Sequence, residues 1–415
     1  MGVQGRWINL VDQHRRNSAR NAAQDAVFVP ACLVIGSVLF NSTLAAVNSH
    51  LAPLTPSVVI GTEILFVVAA HAVALINYSR MMTPWYVFLL FITIGALFRS
   101  VALGAFDMKG FRDVLLIPTF VVLGMTFDKS RLIRVIVMLQ LIILAFLLLE
   151  ALDTASFAAL FNVEDYWINT RGWSADDFWN PESGLFISAT RPDERFFKFV
   201  DLHRLSSIFL EPVSLGNYCV IIVAFVCAIY NRLSWSTRGF FILSTIVLLA
   251  GSDGRLAAVC CAAIIALTLF VHRLPRYSAF IYLPAVTITA FILVGYGGLR
   301  SGADDFPGRI AYTAELLGSW DIREWLAISS KPVEASMDSG LAYLILSQSL
   351  LGVVVIWAFI VFVSLEDTVA KVRFTHALAL YISLTLMVSY SLFTIKTASL
   401  LWFIHGSLQR PRSSG

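Results

Sequence analysis

Four short polar stretches of the chain combine arginine, carboxylate, hydroxyl or imidazole groups. They are 203–212 (HRLSSIFLEP), 252–255 (SDGR), 306–312 (FPGRIAY) and 338–343 (DSGLAY). Arginine stays charged and presents a planar fork of donors that matches phosphate oxygens. A nearby carboxylate or imidazole can take a proton from an attacking hydroxyl. Together, these residue types predict group transfer from a donor that carries a diphosphate.

The candidate residues of these stretches fall into two roles. The expected diphosphate ligands are Arg204, Arg255 and Arg309. The expected general bases are Glu211, Asp253, Asp338 and His203. Arg204 and Glu211 are about two helical turns apart, so they would share one face of a helix that begins early in this stretch.

Each candidate also has a structural interpretation that the sequence leaves open. The alternatives are a membrane-surface anchor for Arg204, a salt bridge to Asp253 for Arg255, a solvated loop position for Arg309, a helix N-cap for Asp338 and a packing role for His203.

Aromatic residues accompany the candidate site. Trp173 and Trp179 lie in a long connection rich in aromatic side chains, and Tyr312 follows Arg309. Their amphipathic faces could stack on sugar rings, or the tryptophans could form an interfacial belt. We therefore count all three as candidate substrate-binding residues.

The composition excludes most soluble classes. The 415 residues are 58% hydrophobic and 14% charged, whereas soluble proteins are about 25% charged. Backbone polar groups in lipid must be satisfied within helices, so the repeated apolar runs predict an all-α polytopic membrane protein. The five cysteines all lie in apolar runs, which predicts no disulfide framework and no metal site. No nucleotide-binding motif is present, and we expect no cofactor and no nucleic-acid partner.

The apolar runs predict about twelve transmembrane helices in one domain over residues 26–408. They are 26–47, 57–77, 84–105, 111–127, 132–152, 207–230, 239–251, 255–272, 277–297, 340–364, 375–395 and 397–408. Arginine and lysine concentrate in alternate connections, which places the tails 1–25 and 409–415 in the cytoplasm. The two long connections, 153–206 and 298–339, then face the outside. The polar, basic first residues do not resemble a signal peptide.

The runs 239–250 and 255–271 form a predicted hairpin whose arms are short for a hydrocarbon core of about 30 Å. We expect its turn to hold Asp253 and Arg255 at partial membrane depth, where an ionisable group is costly unless it faces a wet cavity or a charged ligand. Other ionisable residues in or beside apolar runs are interpreted as interhelical partners. These are Glu63, His71, Arg99 and Glu150.

The chain resembles the O-antigen polymerase and ligase superfamily, and especially exopolysaccharide polymerases of the xanthan type. The resemblance rests on the stretch from Arg204 to Pro212, on Ser-Asp-Gly-Arg at 252–255, and on Arg309 in a second outer loop. It also includes Asp-Ser-Gly at 338–340, and it covers roughly residues 200–365. The family usually shows a serine or similar residue just before the hairpin arginine, where this chain has Asp-Gly.

The resemblance implies metal-independent glycosyl transfer at the periplasmic side of a bacterial inner membrane. A glycan on undecaprenyl diphosphate would pass to an acceptor hydroxyl, and the lipid diphosphate would leave. By motif match, Arg204, Arg255 and Arg309 would hold the donor diphosphate, and Glu211 or Asp338 would orient or deprotonate the acceptor. Candidate partners are a chain-length co-polymerase and a flippase. The open alternatives are a ligase that moves glycan onto an acceptor lipid, and a transporter or flippase of the lipid-linked sugar.

Overall fold

The computed structural model describes residues 28–192, 195–301, 306–329, 331, 336, 338–363 and 367–409. Within these ranges the chain is helical and contains no β-strand. The helices are α1 Phe28–His50, α2 Pro56–Ile76, α3 Thr83–Leu103, α4 Met108–Thr126, α5 Lys129–Leu152, α6 Thr154–Phe161, α7 Val163–Arg171, α8 Pro212–Ile229, α9 Trp235–Ser252, α10 Arg255–Phe270, α11 Tyr282–Gly295, α12 Phe306–Gly318, α13 Ile322–Trp325, α14 Gly340–Phe362, α15 Val369–Leu386 and α16 Ile395–Ser407.

The predicted all-α membrane class is confirmed. Each of the twelve predicted apolar segments contains a helix, and nine helices in the described part of the chain are long and apolar enough to cross a membrane. The helices in the other three predicted segments, α4, α15 and α16, are not among these nine. Helix α4 begins with the charged residues Lys109, Arg112 and Asp113, and α16 has only 13 residues. The predicted tails lie outside the described residues, except for Gln409.

Two packed helix groups form the centre of the bundle. Helix α4 packs closely against α16, and α8 packs against α9, α10 and α15. The α4–α16 contact depends on two glycines, because a Cβ at Gly124 would clash with the carbonyl oxygen of Phe403 and one at Gly406 with that of Val121. The close approach encloses α16, although it carries Lys396 and His405.

The two long connections are partly helical. The first carries α6, α7 and short 3-10 turns, and the second carries α12 and α13. In the described residues of both, side chains reach one end of the bundle, where α8 and α10 begin. This arrangement brings sequence-distant loops to one place.

The structure corrects two helix boundaries. Helix α8 begins at Pro212, and the residues from 201 to 206 are not helical, so Arg204 and Glu211 do not share a helical face. Helix α9 begins at Trp235 and has 18 residues, about 27 Å at 1.5 Å per residue. The first arm of the hairpin is therefore longer than predicted, and the membrane depth of its turn stays a prediction.

One interruption was not predicted. Ser349 has φ 67° and ψ 162° inside α14, so this element consists of two helices joined at a bend. The left-handed φ is unusual for a residue with a Cβ. Ser349 Oγ accepts a hydrogen bond from Gly352 N at 3.2 Å, which caps the second half.

Candidate functional site

A cavity of about 250 Å³ with several charged lining residues lies where α8, α10 and α12 begin. Its charged lining residues are Arg191, Arg204, Arg255, Arg309 and Asp253. We call this cavity the arginine pocket. It brings together three of the four polar stretches recognised in the sequence. Arg191 had no role in the sequence analysis.

Arg204 is half-buried and is held loosely by its neighbours. Its guanidinium donates at 3.4 Å to Ser188 O and at 3.5 Å to Asp253 O, both long for hydrogen bonds. Its Nε lies 4.0 Å from Asp253 Oδ2 and has no hydrogen-bond partner among the described residues. Burial lowers the pKa of Arg204; Asp253 raises it, and three neighbouring arginines lower it further. Arg204 would therefore gain from an anionic ligand.

Asp253 fixes part of the first long connection beside the pocket. It ends α9 in the left-handed region, with φ 54°, a conformation that aspartate tolerates better than most residues. Its carboxylate accepts from Phe196 N at 3.1 Å and Phe197 N at 2.9 Å. Arg195 Nε lies 3.9 Å from Asp253 Oδ1, and Arg204 Nε lies 4.0 Å from Asp253 Oδ2. These contacts give Asp253 a role in positioning the loop, and its expected role as a base stays a prediction.

Arg195 is a second positioning residue, and the sequence analysis assigned it no role. Its guanidinium donates to Leu202 O and His203 O at 2.6 Å, and to Ala250 O and Gly251 O at 2.6 and 3.1 Å. The last two carbonyls belong to the end of α9, where a cation is favoured by the helix dipole. Arg195 thus ties the long connection to α9.

The first turn of α10 lies in the pocket wall. Gly254, Arg255, Leu256 and Ala257 all line the cavity, and the N-cap residue Gly254 has no side chain that could cap the first N–H groups. A Cβ at Gly254 would lie 3.1 Å from Ala257 Cβ, so only a small residue suits this position. The N–H groups of the first turn and the helix dipole favour an anion at a helix start.

His203 lies outside the pocket lining. Its Nε2 lies 3.3 Å from Oε1 of the fully buried Glu150. The same carboxylate accepts from Ser206 N at 2.8 Å and Ser207 N at 2.6 Å. The structure therefore shows a packing contact for His203, whose expected role as a base stays a prediction. Glu150 joins α5 to the non-helical segment that carries Arg204 rather than to another helix.

Glu211 is also outside the lining, although it directly precedes α8, whose first residues form part of the wall. Its Oε2 lies 2.7 Å from Lys396 Nζ and accepts from Ser214 Oγ at 2.7 Å. Lys396 Nζ also donates to Phe209 O at 3.0 Å. Glu211 is thus a paired carboxylate beside the pocket.

Arg309 and Asp338 meet at the pocket mouth. Arg309 NH1 lies 3.7 Å from Asp338 Oδ1, and the Asp338 side chain is 70% exposed. Asp338 is not the N-cap of α14, because Ser339 Oγ accepts from Ala342 N. Tyr312 is half-buried on α12 and is not one of the lining residues.

The two candidate tryptophans have different surroundings. Trp173 packs in an aromatic cluster with Trp167, Phe178 and Phe186, at centroid distances of 5.0, 5.7 and 5.8 Å. Trp179 is 59% exposed. The structure therefore gives Trp173 a packing role within its loop and leaves Trp179 accessible.

The other buried charges form contacts between helices, as the sequence analysis expected. The contacts are Glu63 with Arg112 at 2.7 Å, His71 with Thr119 at 3.0 Å and Arg99 with Asp107 at 2.6 Å. Arg112 also pairs with Asp113, which accepts from the Tyr343 hydroxyl at 2.6 Å. These residues stabilise the packing of α2, α3, α4 and α14.

The fold and the site define an all-α polytopic membrane protein with an arginine-lined pocket at one end of its helix bundle. In the described part of the chain, no group of three or more histidine, cysteine, aspartate or glutamate side chains could hold a metal ion. No protein-family model matches the chain, and neither a curated protein nor a solved structure matches it.

Proposed function

We propose that the chain is a membrane glycosyltransferase that polymerises oligosaccharide repeat units carried on undecaprenyl diphosphate into a secreted polysaccharide. One observation carries the proposal: Arg204, Arg255 and Arg309, from three separate parts of the sequence, line one cavity. The motif resemblance to exopolysaccharide polymerases supports the same function.

The arginine pocket suits a diphosphate leaving group. Arginine matches phosphate oxygens with paired donors, and the first turn of α10 adds backbone N–H groups. Asp253 and Arg195 fix the surrounding loop through main-chain contacts. Donors held in place before the reaction stabilise developing negative charge without a reorganisation cost.

In the proposed reaction, an acceptor hydroxyl oxygen forms a bond to the anomeric carbon of the donor glycan. The bond from that carbon to the diphosphate oxygen breaks, and its electron pair leaves with the lipid diphosphate. The hydroxyl proton passes to a carboxylate, for which Glu211 and Asp338 are the candidates. Asp338 is exposed at the pocket mouth beside Arg309, whereas Glu211 lies beside the pocket and is paired with Lys396.

The proposed setting is the inner membrane of a bacterium, with the pocket on the periplasmic side and both termini in the cytoplasm. The distribution of arginine and lysine between connections supports this orientation. We propose a flippase as the source of the lipid-linked units and a chain-length co-polymerase as a further partner. The proposal involves no cofactor, metal ion or nucleic acid.

The test is reconstitution of the purified full chain in vesicles with synthetic lipid-diphosphate repeat units. The proposal expects longer glycans and released lipid diphosphate. Transfer only to a different acceptor lipid would instead support the ligase alternative. Movement of the substrate between leaflets without a new linkage would support a transporter and refute the enzyme.

A matched pair of arginine variants tests the pocket. Arg255→Lys keeps the charge but removes the planar fork, so we expect activity to fall by about 10- to 100-fold. Arg232→Lys is the control, because Arg232 is exposed at the other end of the bundle, beyond α8. Equal activity of the two variants would contradict a donor-binding role for Arg255.

A further inference from the structure

Part of the arginine pocket lining is polar but uncharged. Asn217 on α8 belongs to this part, as do Ser389 and Ser391 in the connection between α15 and α16. The arginines of the same cavity can only donate hydrogen bonds, which suits phosphate oxygens. The proposed function gives the three neutral residues no role. They are therefore candidates to contact another part of the same substrate.

Asn217 is the most buried of the three. It lies in the second turn of α8 and is 4% exposed, yet it lines the cavity. Its Nδ2 donates to Ser391 Oγ at 2.9 Å. The side chain makes no other hydrogen bond within the described part of the chain, which leaves its Oδ1 and one N–H unpaired. Buried amide groups are almost always bonded, so this side chain indicates a polar ligand on the cavity side.

Ser391 is held in place by contacts of its backbone. Its N–H donates to Ser389 Oγ at 3.0 Å, and its carbonyl oxygen accepts from Thr394 Oγ1 at 3.0 Å. Its hydroxyl oxygen accepts from Asn217, and its hydroxyl proton has no acceptor among the residues that the structure describes. Asn217 and Ser391 together therefore present one acceptor oxygen and two donors to a ligand.

The acceptor oxygen indicates the chemistry of that ligand. A phosphate oxygen and Asn217 Oδ1 repel each other because neither can donate, whereas a sugar hydroxyl both donates and accepts. In the proposed donor, the first sugar is bonded directly to the diphosphate. If the arginines hold the diphosphate, this sugar lies in the same cavity of about 250 Å³. The cavity is reached past Arg309, whose side chain is 36% exposed.

We propose that Asn217, supported by Ser391, hydrogen-bonds a hydroxyl group of the sugar attached to the diphosphate and so selects this sugar. The inference rests on the proposed function and adds a specificity-determining residue to it. A site that hydrogen-bonds a substrate hydroxyl discriminates strongly, because an analogue without that hydroxyl leaves buried polar groups unpaired.

The test compares the dissociation constants of the purified full chain for undecaprenyl diphosphate with and without one attached sugar. The sugars are glucose, galactose and N-acetylglucosamine, each on the same carrier. We expect at least one of them to tighten binding by about 5- to 10-fold, as one or two hydrogen bonds would. Equal affinity for the bare carrier and all three sugar-bearing carriers would overturn the inference.

Variants assign the sugar preference to Asn217. In Asn217→Ala, affinities for the bare and sugar-bearing carriers should lie within about twofold of each other, with affinity for the bare carrier unchanged. A merely structural role would weaken the binding of both carriers alike. The matched control is Asn41→Ala, because Asn41 is also a buried, hydrogen-bonded asparagine but does not line the pocket. This variant should keep the full preference.

Ser391→Ala gives a second reading if Asn217→Ala does not fold. It removes only the hydroxyl that pairs with Asn217, and it should reduce the sugar preference by about 2- to 5-fold. The two proposals fail in different ways. Absence of saturable binding of the bare carrier would refute the diphosphate site and sugar selection with it. Normal binding of the bare carrier, with a sugar preference that survives in Asn217→Ala or in its substitute Ser391→Ala, would refute sugar selection alone.

Discussion

Replacing Glu150 with alanine should release the segment that carries Arg204. The Glu150 carboxylate is fully buried and accepts from Ser206 N, Ser207 N and Ser206 Oγ at 2.8, 2.6 and 3.0 Å. His203 adds a fourth contact at 3.3 Å. One side chain of α5 therefore fixes three residues of this segment, His203, Ser206 and Ser207, through four contacts.

The expected loss in the free energy of unfolding follows from the two backbone N–H groups that donate to Glu150. Each buried N–H loses a charge-assisted hydrogen bond of about 1.5–3 kcal/mol, so Glu150→Ala should lower the free energy of unfolding by about 3–6 kcal/mol. Glu150→Gln should lower it by only about 1–2 kcal/mol, because the amide oxygen can still accept from both N–H groups while the charge is lost.

Hydrogen exchange by mass spectrometry measures the local effect directly. We expect peptides containing Ser206 and Ser207 to exchange faster in Glu150→Ala, with an intermediate rate in Glu150→Gln. Glu182→Ala is the matched control, because Glu182 is exposed in the same connection. Unchanged protection at Ser206 and Ser207 in the alanine variant would refute the role of Glu150.

Two further substitutions test the central packing, each by its unfolding midpoint in detergent. Lys396→Met should destabilise the chain by about 3–5 kcal/mol, because it leaves the partly buried Glu211 without its cation. Adding Glu211→Gln should restore part of the lost stability. An equal loss of stability in the double variant would contradict the pairing. Gly406→Ala should destabilise strongly through the clash with Val121 O, whereas Gly95→Ala, where a Cβ meets nothing within 4 Å, should be neutral or stabilising. Equal midpoints for the two alanine variants would contradict the close α4–α16 packing.

The helices were predictable because long apolar runs in lipid have few other options. The helix boundaries were less predictable. Residues 235–238 (WSTR) fall outside the predicted run 239–251, but Ser234 caps a helix that includes them. Pro212 carried an unused signal, since proline favours the first turn of a helix and disfavours helical geometry in the residue before it. Those two rules would have placed Arg204 outside α8.

The pocket residues were recognisable by type, but their partners were not. Arg204, Arg255 and Arg309 were selected as arginines beside apolar segments, and the structure places all three in one cavity. Arg195 and Asp253 act through main-chain groups of other segments, which no spacing in the sequence reveals. Glu211 and His203 engage Lys396 and Glu150, which lie more than fifty residues away in the chain, so their engagement also required the fold.

Equilibrium binding of undecaprenyl diphosphate to the purified chain tests the central claim most directly, because it needs neither turnover nor an acceptor. The account predicts saturable binding that weakens by about tenfold or more in Arg255→Lys, as expected for loss of a bidentate contact, and that stays unchanged in Arg232→Lys. Equal affinity of the parent chain and Arg255→Lys, or no binding at all, would contradict a diphosphate site in the arginine pocket.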